Sequence, residues 1–197
     1  MNKTWKMLLL SGTCACVPGI ALAATPTAAT SYWAGPYVGG QIGLNDASAD
    51  GLDSQVSLTV GPHAGYNVAL PLRALGQYSP LIVGADIFAD FNGQSTHSRL
   101  GSAGSRVAFG SNVYGAEVLA GLPLGAQHQI MPYAKMGFGI VIPTGDRNGT
   151  GANFRIGFGA EYRLRSNVGV TGEYIHQDGG SITSNNFTVG VNYHFGT

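Results

Sequence analysis

The chain has 197 residues, with ten basic residues balanced by ten acidic ones. Only 10% of its residues are charged, against about 25% in ordinary soluble domains, while 31 residues are glycine. Without Lys3 and Lys6, which belong to the leader described next, the net charge is near −2, and this argues against a nucleic-acid-binding function.

Residues 1–23 have the organisation of a secretory signal peptide: two lysines, an apolar segment and a small-x-small motif. We expect cleavage after Ala23 or Ala24. The apolar segment is interrupted well before the ~20 residues that a membrane-spanning helix needs. Both cysteines, Cys14 and Cys16, lie inside this leader, so the exported chain has no disulfide framework. Residues 24–35 are predicted to form a short periplasmic segment.

Residues 36–195 are predicted to contain only β-strands and turns. In the last segment, apolar side chains from Phe187 to Phe195 alternate with small or polar ones, which gives a strand one apolar and one polar face. The same alternation recurs along the chain. In chain order the predicted strands are residues 36–44, 56–68, 81–91, 107–122, 130–142, 152–164, 168–177 and 186–195. Most of them reach the ~9–11 residues that a tilted strand needs to cross a bilayer.

Strands that are apolar outside and polar inside satisfy their backbone in lipid only when they close into a cylinder. The sequence therefore predicts an all-β, eight-stranded, antiparallel up-and-down transmembrane β-barrel. A soluble ligand-carrier barrel is the alternative, but its interior would then hold most of the aromatic residues, and its exterior mostly glycine.

The predicted connections differ in length at the two ends of the barrel. The exterior loops are 45–55, 92–106, 143–151 and 178–185, whereas 123–129 and 165–167 are short periplasmic turns, a pattern typical of outer-membrane barrels. The connection 69–80 is long for a periplasmic turn. Aromatic residues are predicted to form two girdles: Tyr66, Tyr133, Tyr162, Tyr193 and Phe195 near the periplasmic rim, and Phe91, Tyr114, Phe154, Tyr174 and Phe187 near the exterior rim.

The inward faces carry eight charged residues, which we predict to form a lumen network. They are Asp86, Asp90, Glu117, Lys135, Arg155, Glu161, Arg163 and Glu173. Glu117 and Lys135 lie equally far from Ala126, so we expect them to face each other as a cross-strand ion pair. The network is interpreted as a structural plug, because buried charges are usually paired. A gated ion path and a catalytic carboxylate cluster are the alternatives.

One candidate for chemistry lies near the exterior rim, where His176 and Asp178, with Ser181, could hydrolyse lipid acyl chains. Outer-membrane lipid A deacylases resemble this fold, but Asp178 occupies the serine position of their His-x-Ser spacing. Metal-ligand spacings, phosphate loops and nucleophile elbows are missing from the sequence. We therefore expect no enzyme activity, no cofactor and no metal.

Three segments resemble the small outer-membrane β-barrel proteins related to the opacity and OmpA-type barrels. They read WAGPYVGGQIG at 33–43, GFGAEYRL at 157–164 and GVNYHF at 190–195. Family members usually end on an aromatic residue, whereas Gly196 and Thr197 follow Phe195 here, and we expect no peptidoglycan-binding domain.

The resemblance implies a surface antigen, an adhesin or an envelope-stabilising protein without enzyme activity. A narrow channel for ions or small solutes and a lipid hydrolase are the alternative functions. The implied partners are outer-membrane lipid and lipopolysaccharide, the outer-membrane assembly machinery, and a host or surface ligand of the exterior loops. We expect a monomer that binds no nucleic acid.

Overall fold

The structure, a computed structural model, describes residues 33–49, 53–71, 80–98, 106–125, 127–145, 150–179 and 182–195. The predicted signal peptide and nearly all of the predicted periplasmic segment 24–35 lie outside the described residues. Within the described part of the chain, no helix is long and apolar enough to cross a membrane.

Eight strands form one closed antiparallel barrel, in which each strand pairs with its neighbours in sequence and the first pairs with the last. The strands are β1 (Gly35–Ala49), β2 (Gln55–Pro71), β3 (Pro80–Ser98), β4 (Arg106–Gly121), β5 (Ile130–Gly145), β6 (Gly151–Arg163), β7 (Val168–Gly179) and β8 (Ile182–His194). The predicted eight-stranded up-and-down barrel is confirmed. Closure leaves no unpaired strand edge, so every strand has partners on both sides.

The two faces of the wall follow the period-two alternation of the sequence. Large apolar side chains point outward, and Phe138, Ile87 and Phe158 expose 67%, 66% and 65% of their surface. The inward face is buried and mostly polar or charged. The soluble-carrier alternative, which requires an apolar interior, is therefore wrong.

The strands extend further than predicted, mainly at the end opposite the chain termini, which we call the distal end. β1 continues to Ala49, β3 continues to Ser98, and β8 begins at Ile182. Backbone pairing persists beyond the apolar stretch, where the outward face of these strands becomes polar and the alternation signal disappears. A register shift between Asn92 and Ser95 interrupts the β3–β4 pairing in this region.

The predicted difference in connection length between the two ends is wrong. We call the end that holds the chain termini the terminal end. The connections at the distal end are residues 50–54, 99–105, 146–150 and 180–181, and those at the terminal end are 72–79, 122–129 and 164–167. The distal connections are therefore not the longer ones. Much of each predicted exterior loop is strand. The unexplained connection 69–80 shortens to 72–79, which lies outside the described residues.

Outward-facing aromatic residues contact each other near both ends. At the distal side the ring centroids of Phe91 and Tyr114 are 6.0 Å apart and those of Tyr174 and Phe187 are 4.8 Å apart; Tyr193 and Phe195, at the terminal end, are 4.9 Å apart. Tyr133 was predicted to join the terminal girdle, but it is 6% exposed and points into the barrel.

Two apolar clusters lie inside the barrel, one towards each end. The terminal cluster consists of Trp33, Ile82, Leu119, Met131 and Tyr133, and the distal cluster consists of Phe88, Val113, Val141 and Ile182. Trp33 precedes β1 and is fully buried, and its indole N–H donates to the carbonyl of His128 at 2.8 Å. His128 lies in the β4–β5 turn, where Gly125 and His128 both have positive φ.

Candidate functional site: the charged lumen

All eight charged residues of the predicted network point into the lumen, where their side chains are 9% exposed or less. The period-two alternation explains their direction, because each occupies an inward position of β3, β4, β5, β6 or β7. Charges in such a space require partners, since an unpaired buried charge is costly. The structure arranges them in three layers along the barrel axis.

Arg155 organises the distal layer. Its guanidinium lies 2.7 Å from the Asp90 carboxylate and 2.9 Å from that of Glu117, and it donates to the Gln177 side-chain oxygen at 3.3 Å. The guanidinium carbon stacks 3.8 Å from the centroid of the Phe88 ring. One arginine thus joins β3, β4, β6 and β7 across the bore.

Lys135 organises the middle layer. Its ammonium lies 2.7 Å from Glu173 and 3.3 Å from Asp86. Two tyrosine hydroxyls complete the shell: Tyr37 donates to Asp86 at 2.9 Å, and Tyr133 donates to Glu173 at 2.6 Å. The layer therefore connects β1, β3, β5 and β7 and crosses the whole width of the barrel.

Glu161 organises the terminal layer. Its carboxylate accepts a hydrogen bond from the Asn192 amide at 2.8 Å and lies 2.8 Å from the His194 imidazole and 3.2 Å from Arg163. The Arg163 guanidinium carbon is 4.4 Å from the centroid of the Trp33 ring. The layer is therefore packed against the terminal apolar cluster.

The predicted direct pair between Glu117 and Lys135 is wrong. Glu117 stands opposite Gly137, and Lys135 stands opposite Leu119, so the two charges are offset along the barrel and bind different partners. The error comes from the position of the turn. The bridge between Leu124 and Ile130 places the centre of the turn one residue beyond Ala126. Moving the centre of a turn by one residue changes the partner of every residue on the facing strand by two positions.

Neutral donors complete the network, and sequence reasoning did not assign them to it. Five carboxylates face three permanent cations, and each of four carboxylates also contacts a neutral or titratable donor: Asp86 with Tyr37, Asp90 with Gln41, Glu161 with Asn192 and His194, and Glu173 with Tyr133. Alternation does predict that these donors point inward. Their partners depend on register across strands far apart in the sequence, which alternation does not give.

The exterior-rim candidate for lipid hydrolysis has a different arrangement from the one the sequence suggested. His176 faces outward, and its Nδ1 lies 2.9 Å from the side-chain oxygen of Asn185 rather than from a carboxylate. Asp178 accepts a hydrogen bond from Thr183 at 2.9 Å. Ser181 lies outside the described residues. Among the described residues, no group of three or more histidines, cysteines or acidic residues could hold a metal ion.

An apolar outer wall around an inner face of paired charges defines a transmembrane β-barrel of the small outer-membrane class. A family model described as "Outer membrane protein beta-barrel domain" matches residues 14–195. The chain belongs to this family, and its location is the cell outer membrane.

Several solved structures share the fold. Neisserial surface protein A has a TM-score of 0.57 at 18% identity, covering 81% of this chain and 97% of that one. Ail, the attachment invasion locus protein of Yersinia pestis, has a TM-score of 0.56 at 10% identity, covering 82% and 99%. The outer-membrane enzyme PagL has a TM-score of 0.50 at 13% identity, covering 81% and 99%. No curated protein matches the chain by sequence.

Proposed function

We propose that this protein is a closed, non-conducting outer-membrane barrel that displays its distal loops at the cell surface as an antigen or adhesin. The observation that carries the proposal is the filling of the lumen: three ion-paired layers lie between two apolar clusters. Similar barrels include one titled a surface protein and one titled an attachment protein. A narrow barrel without a path through it leaves the exposed ends as the part that can act.

The packing of the lumen supports the absence of conduction. An ion that entered would have to pass Trp33 and Ile82, both with no exposed surface, and Val113, which is also fully buried. It would also have to displace Lys135 or Arg155 from carboxylates at 2.7 Å. Breaking such pairs is costly in a low-dielectric space.

Conductance in planar bilayers tests the closed lumen. The wild-type barrel is expected to give no steady current steps. Lys135→Glu is the matched variant, because it replaces the central cation with a third carboxylate beside Asp86 and Glu173. Steady wild-type steps whose ion selectivity changes in Lys135→Glu would contradict the proposal. They would favour the alternative function, a narrow channel, for which the axial row of charged layers is the supporting observation.

The direction of insertion is tested with single cysteines, since the predicted mature chain has none. Thr150 and Ser166 are both exposed and lie at opposite ends of the barrel. On intact cells a membrane-impermeant maleimide should label Thr150→Cys, while Ser166→Cys should react only after the outer membrane is permeabilised. The reverse pattern would place the distal end in the periplasm and remove the basis for a surface role.

The surface role itself is tested by binding of intact cells to host cells and by antibody binding. Cells with the wild-type barrel are compared with cells in which residues 99–105 are replaced by a glycine–serine segment of equal length. Loss of adhesion or of antibody binding, at equal amounts of folded barrel, supports the adhesin or antigen role. If the segment makes no difference and only envelope integrity depends on the barrel, an envelope-stabilising role replaces the surface role.

We infer no enzyme activity. The rim histidine bonds to an amide, and the nearby carboxylate of Asp178 bonds to Thr183, so the described residues offer no histidine–carboxylate pair on the outer wall there. The similarity to PagL is one of fold. The test is the acyl-chain composition of lipid A from expressing cells: the expected composition is identical for wild type, His176→Ala and empty vector. Loss of an acyl chain that requires His176 would establish a hydrolase instead.

Two statements about partners complete the proposal. Lipid and lipopolysaccharide surround the barrel because of its location, and we infer that the outer-membrane assembly machinery inserts it. We also infer a monomer, because the closed barrel leaves no sheet edge for pairing with a second copy.

A further inference from the structure

The outer wall carries a polar patch at the distal ends of β7, β8 and β1. His176, Asp178, Thr183 and Asn185 form it, with Asp46 beside them; all five side chains are on the outward face. They are linked across the strands: His176 Nδ1 and the Tyr174 hydroxyl both lie within 2.9 Å of the Asn185 side-chain oxygen, and Thr183 donates to Asp178. With that oxygen as acceptor, the Nδ1–H of His176 donates this bond, and Nε2 is the ring nitrogen left for a ligand.

The patch is local and does not continue around the barrel. The adjacent outward position opposite Asp46 on β2 is Val56, and the positions opposite His176 and Asp178 on β6 are Ile156 and Phe154. These three apolar side chains expose 43% to 57% of their surface. The patch therefore lies between apolar positions of β2 and β6, and the Ser54 hydroxyl, from the residue just before β2, donates to Asp46 at its distal edge.

An apolar groove begins where the patch ends. It has a volume of about 990 Å³, and its outward-facing lining residues are Ile42, Phe158, Ala160, Gly172, Tyr174, Phe187 and Val189. Gly172 creates the depth, because a Cβ placed there would have no atom within 4 Å. The rings of Phe158, Tyr174 and Phe187 stand side by side at the distal end of the groove, with centroids 5.3 Å and 4.8 Å apart.

The depth of the two features matches the two parts of a lipid. Aromatic side chains mark the membrane interface, and His176 lies two residues beyond Tyr174, roughly 7 Å further along the strand. The groove therefore lies at acyl-chain depth and the patch at headgroup depth. Its described residues offer two carboxylates, the His176 Nε2 and the Asn185 amide donor, and none of them is a lysine or arginine that could pair with a phosphate. This set suits sugar hydroxyl and amide groups.

We propose that the patch and the groove together bind an acylated amino-sugar lipid of the outer leaflet, the lipid A portion of lipopolysaccharide. One acyl chain lies in the groove over Gly172, and hydroxyl and amide groups of the sugar bond to Asp178, His176 and Asn185. The inference depends on the distal end facing the outer leaflet and not on the proposed surface role. The cysteine-labelling experiment tests the direction separately.

The test measures binding of purified lipid A to the detergent-solubilised barrel by native mass spectrometry, with phosphatidylglycerol as the competing lipid. The wild type should retain lipid A at concentrations at which phosphatidylglycerol is removed. The double variant His176→Leu/Asn185→Leu removes two hydrogen bonds and should lose about thirtyfold in apparent affinity, equivalent to about 2 kcal/mol. Asn112→Leu is the matched control, because Asn112 is also an outward polar residue near the distal girdle but lies on β4.

A second pair of variants tests the groove without changing any polar group. Gly172→Leu fills it and should reduce lipid A binding, while Gly40→Leu should not, although both glycines are outward and have free space around them. Gly40 lines the neighbouring hollow, which extends over β7, β8, β1 and β2 and shares Ile42 and Val189 with the groove but does not contain Gly172. Heat-modifiable gel migration verifies that each variant is folded.

Three results would overturn the proposal. Equal retention of lipid A and phosphatidylglycerol by the wild type would mean that the wall solvates lipids without selecting them. Lipid A binding unchanged in both the patch and the groove variants would place the lipid elsewhere. A concentration-dependent dimer that Gly172→Leu abolishes would identify the occupant of the groove as a second copy of the chain.

Discussion

Lys135→Met removes the cation at the centre of the lumen and is the sharpest test of the packing argument. The ammonium is buried and lies between Glu173 at 2.7 Å and Asp86 at 3.3 Å. Methionine keeps the length of the side chain, so the change acts mainly on charge. It leaves two carboxylates close together without their cation.

Breaking a buried ion pair by removing one partner costs about 3–5 kcal/mol. Here the hydroxyls of Tyr37 and Tyr133 still donate to the two carboxylates and offset part of the loss. We therefore expect the free energy of unfolding to fall by about 3 kcal/mol, the lower end of that range. A change of this size alters the unfolding equilibrium by more than about a hundredfold.

Urea titration of the barrel in lipid vesicles measures this change, with Trp33 fluorescence as the readout. Trp33 is buried in the terminal cluster, and Trp5, the other tryptophan, lies in the predicted signal peptide.

Adding Glu173→Gln to Lys135→Met should restore part of the stability, because one uncompensated charge disappears. Arg165→Met is the control: Arg165 is exposed in a turn, and its replacement should change stability by less than about 0.5 kcal/mol. A loss of under about 1 kcal/mol in Lys135→Met would refute the reasoning.

Three further changes test the wall, the lumen and the terminal cluster. Val189→Arg puts a charge on the lipid face between the two girdles and should lower the free energy of unfolding by about 2–4 kcal/mol in the same titration, whereas Val189→Leu should be neutral. Gly159→Val should impair folding on heat-modifiable gels, because a Cβ there would lie 2.9 Å from both Glu173 and Tyr133, while Gly172→Val on the open outer face should fold normally. Trp33→Ala should lower the free energy of unfolding by about 3–5 kcal/mol, because it leaves a cavity in the terminal cluster. Circular dichroism measures the unfolding of this variant, which lacks Trp33. A stability equal to that of the wild type would show that the tryptophan does not seal the barrel.

The alternation of apolar and polar residues was sufficient to predict the fold class and the direction of most side chains. Phe158 outward and Arg155 inward follow from their positions in one predicted strand, because successive side chains of a strand point to opposite faces. The strand ends were less accurate. β3 continues to Ser98 and β8 begins at Ile182, since backbone pairing does not need an apolar face and so leaves no mark in the sequence pattern.

The partners within the lumen could not be obtained in the same way. Glu117 binds Arg155 rather than Lys135 because the turn after β4 is centred one residue away from the predicted position. Lys135 meets Asp86 and Glu173 across the bore, 49 and 38 residues away in the sequence. Such contacts depend on how closure of the barrel aligns strands that are not neighbours.

The sequence by itself determined the all-β class, the two faces of each strand and the inward direction of eight charged residues, because these follow from a local period of two. Only the tertiary structure decided which charges pair, that Trp33 packs inside the terminal end, and that His176 and Asn185 lie distal to the groove over Gly172. The physical reason is that barrel closure sets register and depth for all eight strands together, and no local segment contains that information.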